Sequence, residues 1–74
     1  MFYLIEITKY NNGTADGYGV YPYATLDEAV AAYHGKLRGA IVNETYASEL
    51  CMIVNGIGAV QRYEYWERNA EQSS

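Results

Sequence analysis

The sequence predicts an α+β domain with the element order β-β-α-β-β, in which one helix covers one face of a four-stranded, mainly antiparallel sheet. Three observations predict it. Residues 2–10 and 59–66 alternate along the chain as the two faces of a strand do. Residues 26–42 place apolar side chains at helical spacing between those extended segments. Glycine-containing turn signals separate the strands on either side of the helix.

The first two strands form a predicted hairpin. Residues 2–10 make the first strand, and Asn12-Gly13 follows as a strong hairpin signal. Because Asp16-Gly17 is a second turn signal close behind, we expect a loop longer than two residues. The second strand covers residues 18–23. Pro22 cannot donate a ladder hydrogen bond, so this strand is expected to lie at an edge of the sheet or to end there.

The helix has a clear start. Thr25 and Glu28 frame a capping box, in which Thr25 accepts from free backbone N–H groups and Glu28 reaches back to it. The acids Asp27 and Glu28 also favour the N-terminal end of the helix dipole. The predicted helix covers residues 26–42. Its apolar stripe consists of Leu26, Ala29, Val30, Tyr33, Leu37, Ala40 and Ile41.

The last two strands complete the predicted domain. Residues 49–55 contain five consecutive apolar side chains, a pattern typical of a strand that is covered on both faces. A turn at residues 55–58 leads into the final strand at residues 59–66. One small domain therefore spans residues 1–66, and residues 67–74 form a polar tail without a pattern.

A single helix leaves one face of the sheet without cover. We expect that open face to carry Phe2, Leu4 and Trp66, while Tyr3, Ile5 and their neighbours of the same parity lie on the other side. This is more apolar surface than a monomer usually leaves in water. The open face is therefore a predicted partner surface.

A stripe of small residues on the back of the helix predicts a second partner surface. Ala31, Gly35 and Gly39 lie four residues apart, opposite the apolar stripe. A glycine inside a helix costs about 1 kcal/mol relative to alanine, so a lone surface helix gains nothing from it. Small residues at this spacing let another backbone approach closely. The prediction is a homo-oligomer that uses this stripe.

Composition narrows the possible partners. The formal net charge is −4 and the acids are spread along the chain, so no basic stripe is present for duplex nucleic acid. No apolar run approaches 18 residues, and the N-terminus does not resemble a signal peptide, so neither a membrane nor secretion is expected. Cys51 lies inside an apolar run and is interpreted as a core residue, which fits a reducing, cytosolic compartment.

The residue types do not predict an enzyme. His34 is the only histidine, no nucleophile has a recognisable base partner, and no metal-ligand spacing is present, so no catalytic residue, metal or cofactor is expected. Cations and aromatic rings remain, which suit phosphate binding and base stacking when two protomers come together. The candidate ligand-binding residues are Lys9, Asn11, His34, Arg38, Arg62 and Tyr63.

Nearly the whole chain resembles one group of proteins. Residues 3–14, 25–34, 51–55, 58–60 and 64–66 are similar to a group of small, mostly uncharacterised proteins encoded by phages and prophages of gut Firmicutes. The resemblance implies a viral accessory protein in the host cytoplasm. Proteins of this kind often counter host defence, by sequestering a nucleotide immune signal or by occluding a defence protein, and neither role needs catalytic residues.

Two functions follow as hypotheses. The first is a homo-oligomeric sponge that binds a small phosphate-containing nucleotide without cleaving it. The alternative is a protein-protein inhibitor of a host defence enzyme. The few cations among nine tyrosines favour the first, whereas the net negative charge favours the second, because an anionic ligand must overcome the overall field.

Overall fold

Four antiparallel strands and one helix make up the structure, a computed structural model that describes residues 1–68. The strand order across the sheet is β2-β1-β3-β4, and every neighbouring pair runs antiparallel. The predicted α+β class and β-β-α-β-β order are confirmed. The elements are β1 (Phe2–Tyr10), β2 (Gly17–Tyr23), α1 (Leu26–Val42), β3 (Tyr46–Val54) and β4 (Val60–Glu67).

The hairpin and its edge strand lie where the sequence predicts them. The loop between β1 and β2 covers residues 11–16, and Gly13 adopts a positive φ of 85° that favours glycine. The Asn12 side chain accepts a hydrogen bond from the backbone N–H of Thr14 at 3.1 Å. Pro22 lies on the edge strand β2, as its missing N–H requires, and pairs with Tyr3 of β1.

The capping box sets the N-terminal end of α1. The Thr25 hydroxyl accepts from the backbone N–H of Glu28 at 3.2 Å and donates to the Glu28 carboxylate at 3.0 Å. Glu28 thus reaches back to Thr25, as predicted, although it binds the hydroxyl group. The helix begins at Leu26 and ends at Val42, the predicted bounds.

Arg68 secures the opposite end of α1. The last helical turn carries no basic residue of its own. The Arg68 guanidinium instead donates to the carbonyl oxygens of Asn43 at 2.9 Å, Tyr46 at 3.0 Å and Ile41 at 3.4 Å. A cation at this end also complements the helix dipole. Arg68 therefore ties the end of β4 to the end of α1.

The two later strands extend beyond their predicted bounds. β3 begins at Tyr46, where its ring meets that of Tyr10 edge-on at 5.2 Å between centroids. β4 continues to Glu67, and the backbone N–H of Arg68 still donates to Ala47 at 2.8 Å. The first residue of the predicted tail thus belongs to the sheet. Residues 69–74 of that tail lie outside the described residues.

The helix covers the face that was expected to stay open. Leu4 is fully buried in the core, and Phe2 and Trp66 pack against that core, so their predicted place on the open face is wrong. Cys51 lies on the same face and is fully buried, which confirms it as a core residue. The physical reason is polar as well as apolar, because Glu6 shares this face and its carboxylate binds the Lys36 ammonium group of the helix at 3.2 Å.

The core contacts of α1 predict where the fold is sensitive. Leu37 is buried in the core and Arg38 beside it is exposed. Leu37→Ala is expected to lower the free energy of unfolding by roughly 2–5 kcal/mol, because it leaves a cavity between helix and sheet. Arg38→Ala, the control, should change it by less than about 0.5 kcal/mol. Urea denaturation of both variants measures this, and equal effects would contradict the observed rotation of the helix.

Candidate functional site

The face of the sheet opposite α1, here named the open face, carries three uncharged rows. The strand registers place one side chain from each of the four strands in every row. The two middle strands carry five aliphatic or methionine side chains and one tyrosine, and the two edge strands carry three tyrosines, two valines and one proline. The rows are Tyr18, Ile7, Leu50 and Tyr65; Val20, Ile5, Met52 and Tyr63; and Pro22, Tyr3, Val54 and Val60.

The edges of the open face are well exposed. Tyr18 has 77% of its surface accessible, Val20 62%, and Tyr63 59%. Within the face, β3 contributes Leu50, Met52 and Val54, the alternate residues of the apolar run. The sequence pattern predicted cover on both faces of β3, and residues 1–68 cover only one of them. A contiguous apolar patch of this extent is typical of an interaction surface.

One charged row borders the open face. Lys9 pairs with Ser48, and Ser48 pairs with Glu67, so Lys9 and Glu67 lie in one row at the same end of the face. The Tyr65 hydroxyl donates to the Glu67 carboxylate at 2.9 Å. Lys9 is exposed and has no carboxylate partner within residues 1–68. The open face therefore has a defined charged end and an uncharged remainder.

The predicted ligand-binding residues divide between the two faces of the sheet and the helix. Lys9 and Tyr63 both lie on the open face, but their partners on β3, Ser48 and Met52, are four residues apart. Arg62 pairs with Ile53 and so lies on the opposite, helix-covered face.

The other three predicted ligand-binding residues are also apart. Asn11, beyond the end of β1, donates through its side chain to the carbonyl of Glu44 at 2.7 Å. His34 and Arg38 are exposed on α1, where the His34 ring meets Tyr33 edge-on at 5.2 Å. One protomer does not bring the six residues into a single site, so a shared pocket would need a second protomer.

The small-residue stripe lies in open surroundings. Ala31, Gly35 and Gly39 are exposed, and a Cβ atom added at Gly35 or Gly39 would meet nothing within 4 Å. Nothing within the described chain requires these glycines. Their role in self-association stays a prediction.

A buried polar cluster beneath α1 is the feature that the sequence reading missed. Glu49 is fully buried and accepts a hydrogen bond from the Thr8 hydroxyl. Glu6, on the neighbouring strand, binds the ammonium group of Lys36 at 3.2 Å and accepts from Tyr21 at 3.4 Å. The available signal was parity, because Glu6 alternates into the same face as the core residue Leu4. The cluster joins β1, β2, β3 and α1.

Gly19 makes room for this cluster. It pairs with Glu6 across β1 and β2, and the Tyr21 ring lies directly over it. A Cβ atom at Gly19 would come within 2.7 Å of Tyr21 Cε2. In this position the ring also supports Lys36, whose Nζ lies 4.0 Å from the ring centroid. The glycine thus allows an edge-strand tyrosine to reach inward.

The pKa values of the two carboxyl groups, Glu49 and Glu6, are shifted in opposite directions. Burial, together with the adjacent Glu6 carboxylate, raises the pKa of Glu49 to about 8. Burial alone would raise the pKa of Glu6, but hydrogen bonds from Glu49, Lys36 and Tyr21 outweigh it and leave that pKa lowered. At neutral pH the Glu49 carboxyl group therefore keeps its proton, whereas Glu6 is ionised.

The cluster offers little for chemistry on an external substrate. Glu49 has no accessible surface, and burial raises the pKa of the neighbouring Cys51 thiol to about 12, so the reactive thiolate does not form near neutral pH. Within residues 1–68 no group of three or more histidine, cysteine, aspartate or glutamate side chains could hold a metal ion. The cluster is best interpreted as part of the helix-sheet packing.

No protein-family model, curated protein or solved structure matches this chain. Among residues 1–68, no helix is long and apolar enough to cross a membrane.

The titration of Glu49 predicts a pH-dependent stability. Because its folded pKa lies above the ordinary value of 4.5, its contribution is complete below that value and is lost as the pH rises towards about 8. Glu6 has the opposite sign, so its contribution is lost as the pH falls below 4.5. Unfolding free energy should therefore decline between weakly acidic and weakly basic pH.

Glu49→Gln tests this titration, because the amide still donates to Glu6 and accepts from Thr8 but cannot ionise. Urea denaturation across that pH range should show a flatter profile for Glu49→Gln than for the wild-type protein. The control, Glu44→Gln in an exposed loop, should keep the wild-type slope. Parallel profiles for all three proteins would mean that Glu49 does not carry the proton.

Proposed function

We propose that this chain is a small, non-catalytic accessory protein of viral origin that acts in the host cytoplasm by association through its open face. One observation carries the proposal. Three complete rows of uncharged side chains cross all four strands and remain without cover from residues 1–68. A surface that combines aliphatic side chains, methionine and tyrosine and lacks charge has the composition of the core of a protein-protein interface.

The distribution of ionisable groups supports binding over catalysis. Catalysis needs an acid, base or nucleophile that a substrate can reach. The carboxyl group with the most strongly raised pKa, Glu49, is enclosed beneath α1, and Cys51 beside it is enclosed as well. The exposed cations Lys9, Arg38 and Arg62 lie on different surfaces.

Inhibition of a host defence protein is the role that this geometry favours. A sheet face on which three whole rows carry no charge complements another protein better than it complements a small anion. The resemblance to phage and prophage proteins supplies the biological setting. In this proposal the protein occludes a defence enzyme and needs no chemistry of its own.

A homo-oligomeric nucleotide sponge is the second candidate, and one observation favours it. Tyr18 pairs with Ile7, two residues before Lys9, so Tyr18 and Lys9 are diagonal neighbours on the open face. A cation beside an exposed ring suits a phosphate and a base. A second protomer would have to supply the remaining contacts. The candidate residues for these contacts are Asn11, His34, Arg38, Arg62 and Tyr63.

Met52→Arg tests the proposed working surface. Met52 lies near the centre of the open face, where an arginine can extend into solvent without entering the core. Expression of the wild-type protein should raise the plating efficiency of a phage on a host that carries the matching defence system. Met52→Arg should abolish this gain while the melting temperature stays close to the wild-type value.

Val42→Arg adds an arginine on the exposed last turn of α1, serves as the matched control and should keep the gain. If a folded Met52→Arg protein were fully active across a panel of defence systems, the open face would not be the working surface.

Thermal-shift measurements with cyclic dinucleotides and ADP-ribose derivatives test the sponge. A bound nucleotide should raise the melting temperature, and the shift should shrink in Lys9→Ala and in added salt, because screening weakens the ionic part. The nucleotide should be recovered intact. Arg38→Ala removes another candidate cation and should shrink the shift as well. The absence of any shift would remove this candidate.

A further inference from the structure

We infer that the occupant of the open face is a second copy of this chain. The two copies are related by a two-fold axis that lies between their sheets and is parallel to β3. This inference rests on the proposed function, association through the open face, and takes the second copy to occupy that face in competition with a target protein. A two-fold contact of this kind is self-complementary, because each copy offers the same surface to the other. The face must therefore fit itself, in both its charged and its apolar parts.

The axis lies along β3 because this strand is apolar on both sides. Cys51 and Ile53 are buried beneath α1, while Leu50, Met52 and Val54 lie on the open face. Such a run is typical of a strand with cover on both faces. An axis along β3 places these three side chains against the same three of the second copy, which supplies the missing cover.

The charged row selects this axis among the possible ones. In the order β2-β1-β3-β4, a rotation about β3 exchanges β1 with β4 and keeps each row in place. Lys9 on β1 then lies across from Glu67 on β4 of the second copy, and the reverse pair forms as well. Two packed sheets are about 10 Å apart, a gap that extended lysine and glutamate side chains bridge.

Other axes leave the charges without partners. An axis between β1 and β3 places Lys9 as close to Lys9 of the second copy as to its Glu67. An axis across the strands inverts the rows and sets Lys9 against the row of Pro22, Tyr3 and Val54. Of these three axes, rotation about β3 is the one that gives Lys9 a carboxylate without a nearby like charge.

The apolar rows fit the same arrangement. Exchange of β1 with β4 places Ile5 across from Tyr63 of the second copy, and Ile7 across from its Tyr65. Aliphatic side chains thereby pack on exposed aromatic rings, which combines a large contact area with hydroxyl groups at the rim. β2 extends beyond β4 of the second copy.

The overall charge favours the open face as the place where two copies meet. The chain is acidic, with a net charge of −4, so two copies repel each other on most approaches. Among the carboxylates on β1 to β4, Glu6, Glu49 and Glu64 lie on the helix-covered face and only Glu67 lies on the open one.

In this dimer Lys9 is engaged in an ion pair, which favours protein association over phosphate binding at that residue. A target protein that docks on the same face competes with the second copy.

Charge reversal across the dimer tests the inference. Analytical ultracentrifugation from micromolar to millimolar concentration should show a monomer-dimer equilibrium for the wild-type protein. Lys9→Glu and Glu67→Lys should each weaken the dimer by roughly tenfold, because each creates two like-charge pairs. An equimolar mixture of the two variants should restore association. In the mixed dimer one interface pair is the native Lys9 with Glu67, and the other pair joins the two substituted residues, which also carry opposite charges. Melting temperatures establish that both variants are folded.

Two controls separate the possible interfaces. Glu44→Lys reverses a charge in the exposed loop between α1 and β3 and should leave the dimer constant unchanged. Gly35→Leu fills the small-residue stripe, and loss of the dimer in this variant alone would assign self-association to the helix back and overturn the inference.

The remaining outcomes distinguish this inference from the proposed function. A wild-type protein that stays monomeric to millimolar concentration overturns the dimer. If Met52→Arg nevertheless abolishes the plating gain, the open face keeps its proposed function and binds a different protein. Weakening by both charge variants without recovery in the mixture also overturns the pairing of Lys9 with Glu67.

Discussion

A single helix over a sheet of four strands is the constraint on which the rest of the structure depends. A sheet has two faces, and one layer of helix buries only one of them. The covered face becomes the core, with Leu4 and Ile53 at its centre. The other face must meet water, another protein or a second copy. Because three of its rows carry no charge, association removes apolar surface from water and is favourable for that face.

The buried carboxyl pair explains which face the helix covers. Glu6 and Glu49 would make a costly core if they stood alone, because an unpaired buried charge is strongly destabilising. Here Glu49 is protonated and accepts a hydrogen bond from the Thr8 hydroxyl group. Glu6 binds the Lys36 ammonium group and accepts from the Tyr21 hydroxyl group. Lys36 comes from the helix, so the helix completes the network only on this side. The same contacts hold the edge strand β2 to α1 through Tyr21.

The candidate site was predictable in kind but not in place. The apolar run around Met52 indicated that β3 needs cover on both faces, which is a signal for a partner surface. The cations were recognisable as residue types, yet their order along the chain did not show which of them share a surface, and the neighbours Arg62 and Tyr63 lie on opposite faces of the sheet. Glu6 and Glu49 were overlooked because acids usually lie on the surface, and only parity with Leu4 pointed inward.

The sequence by itself determined the strands and the helix. Their signals are local: the alternation of β1, the capping residues Thr25 and Glu28, the turn glycines and the edge proline. Local geometry is enough to satisfy each of these signals. The tertiary structure decided which side of the sheet became the core and which residues became neighbours. The physical reason is that alternation with period two assigns residues to a shared face but treats both faces alike. Leu4 and Ile5 are both apolar and point to opposite faces. The contacts that α1 makes therefore decide which face becomes the core.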